Sequence, residues 1–204
     1  MVINVATKGP VDGTAILFVH GWPESWWSWR HQITFFAGKG YRVLVPEVRG
    51  YGKSSAPDDE SAYSRFAIAS DLAAVVEQLG GGSAIVVGHD WGALLVQTFA
   101  FEYPAIIRSL VLMSVPFFAP TQYFSPTAAC AYTNAGIFWY QDYMNGCLPG
   151  PKDTAITEVD ADLFAFIKGF YWSASFEPQR YSVGWAFSQS RRSLRGVRTQ
   201  TGCS

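Results

Sequence analysis

Gly88-His89-Asp90-Trp91-Gly92 follows three β-branched residues, Ile85-Val86-Val87, and precedes an apolar stretch at residues 93–101. Three β-branched residues in a row read as a strand buried on both faces. The apolar stretch reads as a helix, and the small residues between them allow a sharp turn that lifts one side chain above the sheet. That is the layout of a nucleophile elbow. Serine is the usual occupant; here it is Asp90. A serine needs a neighbouring base and attacks acyl carbon, whereas a carboxylate is ionised at neutral pH and attacks without one. It is a weak nucleophile, suited to strained or activated sp³ carbon such as an epoxide or an alkyl halide. The product is an ester of Asp90 itself, and only its hydrolysis needs a water-activating base. The simpler reading is a strand-to-helix turn in which Asp90 caps the helix.

The elements that must position Asp90 are legible around it. Residues 2–6 alternate weakly as a strand, and the apolar run 15–19 predicts a central strand. It empties into His20-Gly21-Trp22-Pro23-Glu24, a loop punctuated by Gly and Pro. A helix is expected from Ser25, with Trp29, Ile33 and Phe36 on one face, ending at Gly38 and Gly40. Residues 41–45 form the next strand, and residues 46–54 a Gly-rich loop without the Gly-Lys-Ser/Thr end of a phosphate-binding loop. Ser64 caps a helix whose apolar positions, Ile68, Leu72, Val75, Val76 and Leu79, recur at helical spacing, with Asp71 and Glu77 off that face. Gly80-Gly81-Gly82 ends it. Residues 110–113 give a further strand, ending at Val115-Pro116. Strands alternating with helices imply a mostly parallel α/β sheet. Ligands then bind at the carboxyl ends of the strands, where His20-Gly21 and Asp90 fall.

Beyond Pro116 the character changes. Residues 117–190 are aromatic and rich in Gly, Pro and Ser, with helical spacing over 156–172, and read as a helical cap. Residues 191–204 hold four Arg and no acid, a basic tail read as disordered or non-native. Residues 1–116 form the core.

The chain has 204 residues, 49% of them hydrophobic, enough for one domain with a substantial core. A net charge of -1 argues against nucleic acid or an anionic membrane as the main partner. Eight Trp suit an aromatic-lined pocket or a generous core equally. The three cysteines, Cys130, Cys147 and Cys203, are spaced for neither a disulfide framework nor a metal site. Residues 1–6 lack the parts of a signal peptide, and no run reaches the roughly 18 apolar residues of a membrane span. The expectation is a soluble cytoplasmic protein without cofactor or metal.

His20-Gly21-Trp22-Pro23-Glu24-Ser25-Trp26-Trp27-Ser28-Trp29-Arg30-His31-Gln32, Arg49-Gly50-Tyr51-Gly52-x-Ser54 and Gly88-His89-Asp90-Trp91-Gly92 together resemble the epoxide hydrolases of the α/β-hydrolase superfamily. The resemblance runs from the N-terminus to about Trp172. It implies an α/β-hydrolase fold with a helical cap, acting on a small hydrophobic epoxide and water. Asp90 would be the nucleophile, and the backbone N–H groups of Trp22 and Trp91 the oxyanion hole, stabilising charge on the Asp90 carboxyl oxygen during ester hydrolysis. His20, Gly21 and Pro23 would build the structural loop. Tyr140 falls where the family places a cap tyrosine that protonates the departing alkoxide; Tyr143 is the alternative match, and packing in the cap the alternative role. A second cap tyrosine has only Tyr181 as a candidate. Haloalkane dehalogenases share the aspartate elbow and a following tryptophan, and a non-catalytic small-ligand binder is the reading from outside enzymology.

The departures from the family pattern carry their own expectations. The family's base is a histidine after the cap, oriented by an acid; this chain's last histidine is His89, which should point away from Asp90. His31 should lie on the outer face of the first helix. No acid follows the strand ending at Met113, and the family's C-terminal strands and helices are missing. The expectation is a truncated product or misread gene model with an exposed sheet edge, in which chemistry stalls at the ester.

Overall fold

Alternation along each strand decides what the sheet can pack against. The computed structural model describes residues 1–118 and 154–174. The chain divides into two compact units, Met1–Tyr123 and Phe124–Ser204. In the first, β1 (Val5–Lys8), β2 (Ala15–Val19), β3 (Arg42–Pro46), β4 (Ala84–His89) and β5 (Ile107–Met113) form one five-stranded sheet in the order β1-β3-β2-β4-β5. Only β1 runs antiparallel, along β3; the other pairings are parallel. Helices α1 (Arg30–Gly38), α2 (Arg65–Leu79) and α3 (Trp91–Glu102) link β2 to β3, β3 to β4 and β4 to β5.

Because successive side chains on a strand point to opposite faces, β2 feeds two cores. Ala15, Leu17 and Val19 join Leu44, Val86 and the apolar faces of α2 and α3, notably Leu72, Val76, Val96 and Phe99. Ile16 and Phe18 join Val43, Val45, Val87 and the inner face of α1, Trp29 and Ile33. A strand covered on both faces must be apolar at every position, as residues 15–19 are. Full burial of a side chain such as Leu17 contributes roughly 1.5–3 kcal/mol.

Element ends follow local chemistry. Ser25 accepts the N–H of Trp27 and starts a short 3-10 turn, Trp26–Trp29, ahead of α1; the expected single helix from Ser25 is thus a tight turn followed by α1. Ser64 caps α2 through the N–H of Ala67, and Gly80 and Gly82 both donate to the Val76 carbonyl at its end. β5 is longer than residues 110–113 and forms one edge of the sheet. In the second unit, the expected helix over 156–172 is two helices, α4 (Thr154–Ala161) and α5 (Leu163–Ala174). The break has a local cause: the Asp162 carboxylate accepts the N–H of Ala165 and so caps α5. Among the described residues no helix is long and apolar enough to cross a membrane, and no group of three His, Cys, Asp or Glu could hold a metal ion.

The Gly-rich loop after β3 is organised by two inward-turned charges. Glu47 is buried and accepts the Asn4 side-chain amide and the Lys53 N–H, each at 2.8 Å. Arg49 makes a bidentate pair with Asp71 of α2, at 2.7 and 2.8 Å, and donates to the carbonyls of Ala62 and Ala67. Both partners of that pair are nearly enclosed, with side-chain exposures of 8% and 12%. Removing one charge strands the other in a poorly hydrated place. Asp71→Ala is therefore expected to lower stability by about 3 kcal/mol, read as the shift of the urea unfolding midpoint; a shift no larger than that of a surface alanine would contradict this reading.

Candidate active site

The sheet order creates the crevice. From β2 the chain moves to one neighbour, β3, through α1; from β4 it moves to the other side through α3. The loop after β2 and the turn after β4 therefore leave adjacent parallel strands toward opposite faces, and the gap between them is a topological switch point. Residues 20–24 form one wall and His89-Asp90-Trp91 the other.

Asp90 sits in that gap with φ 53° and ψ −125°, a left-handed conformation that costs a non-glycine residue roughly 1–3 kcal/mol. Three bonds hold it there. Its N–H donates to the Met113 carbonyl at 3.1 Å, its carbonyl accepts the Ala93 N–H at 2.9 Å, and its Oδ1 accepts the Trp22 N–H at 3.0 Å. The carboxylate makes no capping bond to α3, so the simple N-cap reading fails. The glycines make room for the turn. A Cβ at Gly88 would stand 2.5 Å from the Gly92 carbonyl oxygen, and one at Gly92 would strike the carbonyls of Val19 and His20. Gly21 has the same constraint from the other wall: a Cβ there would lie 2.5 Å from the Cβ of Asp90.

His20 is buried beneath the loop. Its Nδ1 lies 2.9 Å from the Gly21 carbonyl and its Nε2 3.2 Å from the Val48 N–H. The second contact requires an acceptor, so Nδ1 carries the proton and the ring is neutral. The Tyr51 ring meets it edge-on with centroids 4.8 Å apart. Burial lowers the His20 pKa, against the opposing pull of the Gly21 hydrogen bond and of Glu24 and Glu47. Burial, and then the charges of Asp90 and Glu24, push the Tyr51 phenol up to about 12, so it stays protonated.

Glu24 is the member of the site that sequence reasoning passed over. Its carboxylate accepts the Gly21 N–H at 3.1 Å and meets Nδ1 of His89 at 3.2 Å, which ties the two walls together. The available signal was its place three residues after Gly21 in a tight loop, where an acid can reach back to a backbone N–H. The same pair explains the orientation of His89, which is turned onto Glu24. His31 is exposed on α1. Trp91 opens α3 beside Asp90 with an exposed side chain, and Pro23 follows Trp22 through a cis peptide bond. Tyr140, Tyr143 and Tyr181 lie outside the described residues.

The α/β hydrolase fold family matches residues 14–147. The chain belongs to that family. Its sequence is 37% identical over 187 residues to epoxide hydrolase B of Mycobacterium tuberculosis, covering 86% of this chain and 51% of the relative. It is 36% identical over 160 residues to bifunctional epoxide hydrolase 2 of Sus scrofa, covering 78% of this chain and 28% of the relative. Similar solved structures include epoxide hydrolase A from Mycobacterium thermoresistibile, with TM-score 0.74 and 30% identity over 86% of this chain and 54% of that one. An epoxide hydrolase from an endophytic Streptomyces gives TM-score 0.73 and 38% identity, covering 83% of this chain and 49% of that one. The chain thus spans about half the length of these relatives, and less of the pig protein.

The buried neutral His20 sets a pH dependence whose sign is fixed. An unfolded histidine takes up its proton near pH 6.5, whereas the folded ring resists it. Its contribution to stability is full above that pH and falls as the pH drops toward the lowered folded value. The urea midpoint is expected to decline from pH 7.5 to pH 5.0, and to decline less in His20→Gln; equal declines would remove His20 as the cause.

Proposed function

We propose that this chain carries the nucleophile and oxyanion half of an epoxide-opening hydrolase site. The observation that supports this best is the Asp90 carboxylate. It is lifted on a strained elbow, relieved of any capping duty and met by the Trp22 N–H. In the proposed first step a carboxylate oxygen of Asp90 attacks an epoxide carbon. The C–O bond to that carbon breaks and its electron pair leaves on oxygen, which then takes a proton. The resemblance assigns the proton to Tyr140, from the stretch 117–190 read as a cap. The result is a hydroxyalkyl ester of Asp90.

In the second step water adds to the ester carbonyl, and negative charge develops on the Asp90 oxygen. The N–H groups of Trp22 and Trp91 are the proposed donors there. Donors fixed in the backbone need no reorganisation as the charge develops, and one such donor is worth about 3 kcal/mol in comparable sites. This step requires a base to take a proton from water. The chain's three histidines are otherwise engaged or remote: His20 uses both ring nitrogens, His31 is exposed on α1, and His89 is committed through Nδ1 to Glu24. Ester formation is therefore expected to outrun ester cleavage.

Intact-mass measurement after mixing the folded chain with styrene oxide tests this. Addition has no leaving group, so the expected product is one adduct of the full mass of the epoxide, on Asp90 and absent in Asp90→Asn. Folded protein without an adduct would refute the nucleophile, and sustained diol production would refute the stalled second step.

A further inference from the structure

The outer side of α1 and of the 3-10 turn before it pairs exposed aromatic rings with cations. Trp29, Ile33 and Phe36 turn inward, which leaves Trp27, Arg30, His31, Thr34, Phe35 and Lys39 outside. Trp27 is 58% and Phe35 59% exposed. Each ring carries a cation. The Arg30 guanidinium lies 5.6 Å from the centre of the Trp27 ring, and the Lys39 ammonium 5.9 Å from that of Phe35. No Asp or Glu occurs between residues 25 and 46, while Arg30, Lys39 and Arg42 do. The acids on either side are Glu24, which is turned inward to Gly21 and His89, and Glu47, which is buried; Asp12 precedes Gly13, on the turn that approaches Gly40. The whole-chain charge of -1 conceals this local concentration.

We propose that this face docks the protein onto an anionic phospholipid bilayer, with Trp27 and Phe35 entering the headgroup layer and Arg30 and Lys39 contacting lipid phosphates. The chemistry matches on both counts. Aromatic rings favour the bilayer interface, with its apolar interior on one side and water on the other, and nearby cations gain from the negative surface potential. The shape argues the same way. The two ring–cation pairs stand at the two ends of one convex segment, Trp27 on the 3-10 turn and Phe35 on the outer side of α1, a surface that can meet a flat sheet of lipid. Between residues 25 and 46 every charged side chain is basic, as an anionic bilayer requires. This inference is independent of the proposed reaction, because none of these side chains belongs to the Asp90 site.

Co-sedimentation of the full chain with phosphatidylcholine vesicles, with and without phosphatidylserine, tests it. Binding is expected only with phosphatidylserine and should weaken as salt is raised. Lys39→Glu, a change of two charge units, is expected to cost roughly thirtyfold in partition coefficient, on the scale of about 1 kcal/mol per surface charge. Phe35→Ser and Trp27→Ser should each weaken it with far-UV circular dichroism unchanged. Absence of binding to the phosphatidylserine vesicles, equal binding to both vesicle types, or undiminished binding by all three folded variants would overturn the proposal. So would binding to polyglutamate without binding to vesicles, which would mark the face as a site for an acidic protein.

Discussion

The left-handed backbone of Asp90 is the constraint on which the rest of the site depends. A non-glycine residue enters that region only when its surroundings hold it there. Here the sheet supplies one restraint through the Met113 carbonyl, α3 a second through Ala93, and the loop after β2 a third through Trp22. Each restraint comes from a different element, so the elbow exists only if β2, β4 and β5 are in register. The core serves the site in this sense. Burying both faces of β2 and β4 fixes the strands whose ends carry the two walls.

The same dependence explains which glycines matter. Gly88 and Gly92 approach each other across the turn, and Gly92 also approaches the carbonyls of Val19 and His20. Gly21 faces the Asp90 side chain at a distance that admits no methyl group. The walls are therefore as close as backbone allows, and the Trp22 N–H reaches the carboxylate only because of that closeness.

Much of this was legible in residue order. Apolar runs at 15–19 and 85–87 read as strands covered on both faces, and helical spacing from Ile68 to Leu79 left little choice for α2. The elbow was legible because its chemistry is local: strand, glycine, aspartate, glycine, helix. What escaped was long-range pairing. Nothing in the spacing says that Arg49 will clamp Asp71 across 22 positions, or that Glu24 will meet His89 across 65. Such pairs appear only once the sheet order brings distant loops together. The break at Asp162 was missed for a different reason. Apolar periodicity continues through it, and capping chemistry overrides the periodicity at one residue.

Glu24 raises the question of why a second carboxylate is tolerated so near Asp90. Two bare carboxylates in a half-buried crevice would repel each other. Glu24 is not bare: it accepts the Gly21 N–H and faces His89, so its charge is spent locally. Asp90 is left with the Trp22 N–H and the N-terminal end of α3, where partial positive charge favours an anion. The Tyr51 phenol, held protonated by the two carboxylates and by burial, adds no third negative charge. The crevice thus ties one carboxylate into its walls and leaves the other without a side-chain partner among the described residues, although both are acids of ordinary type. Their difference lies in what each one touches.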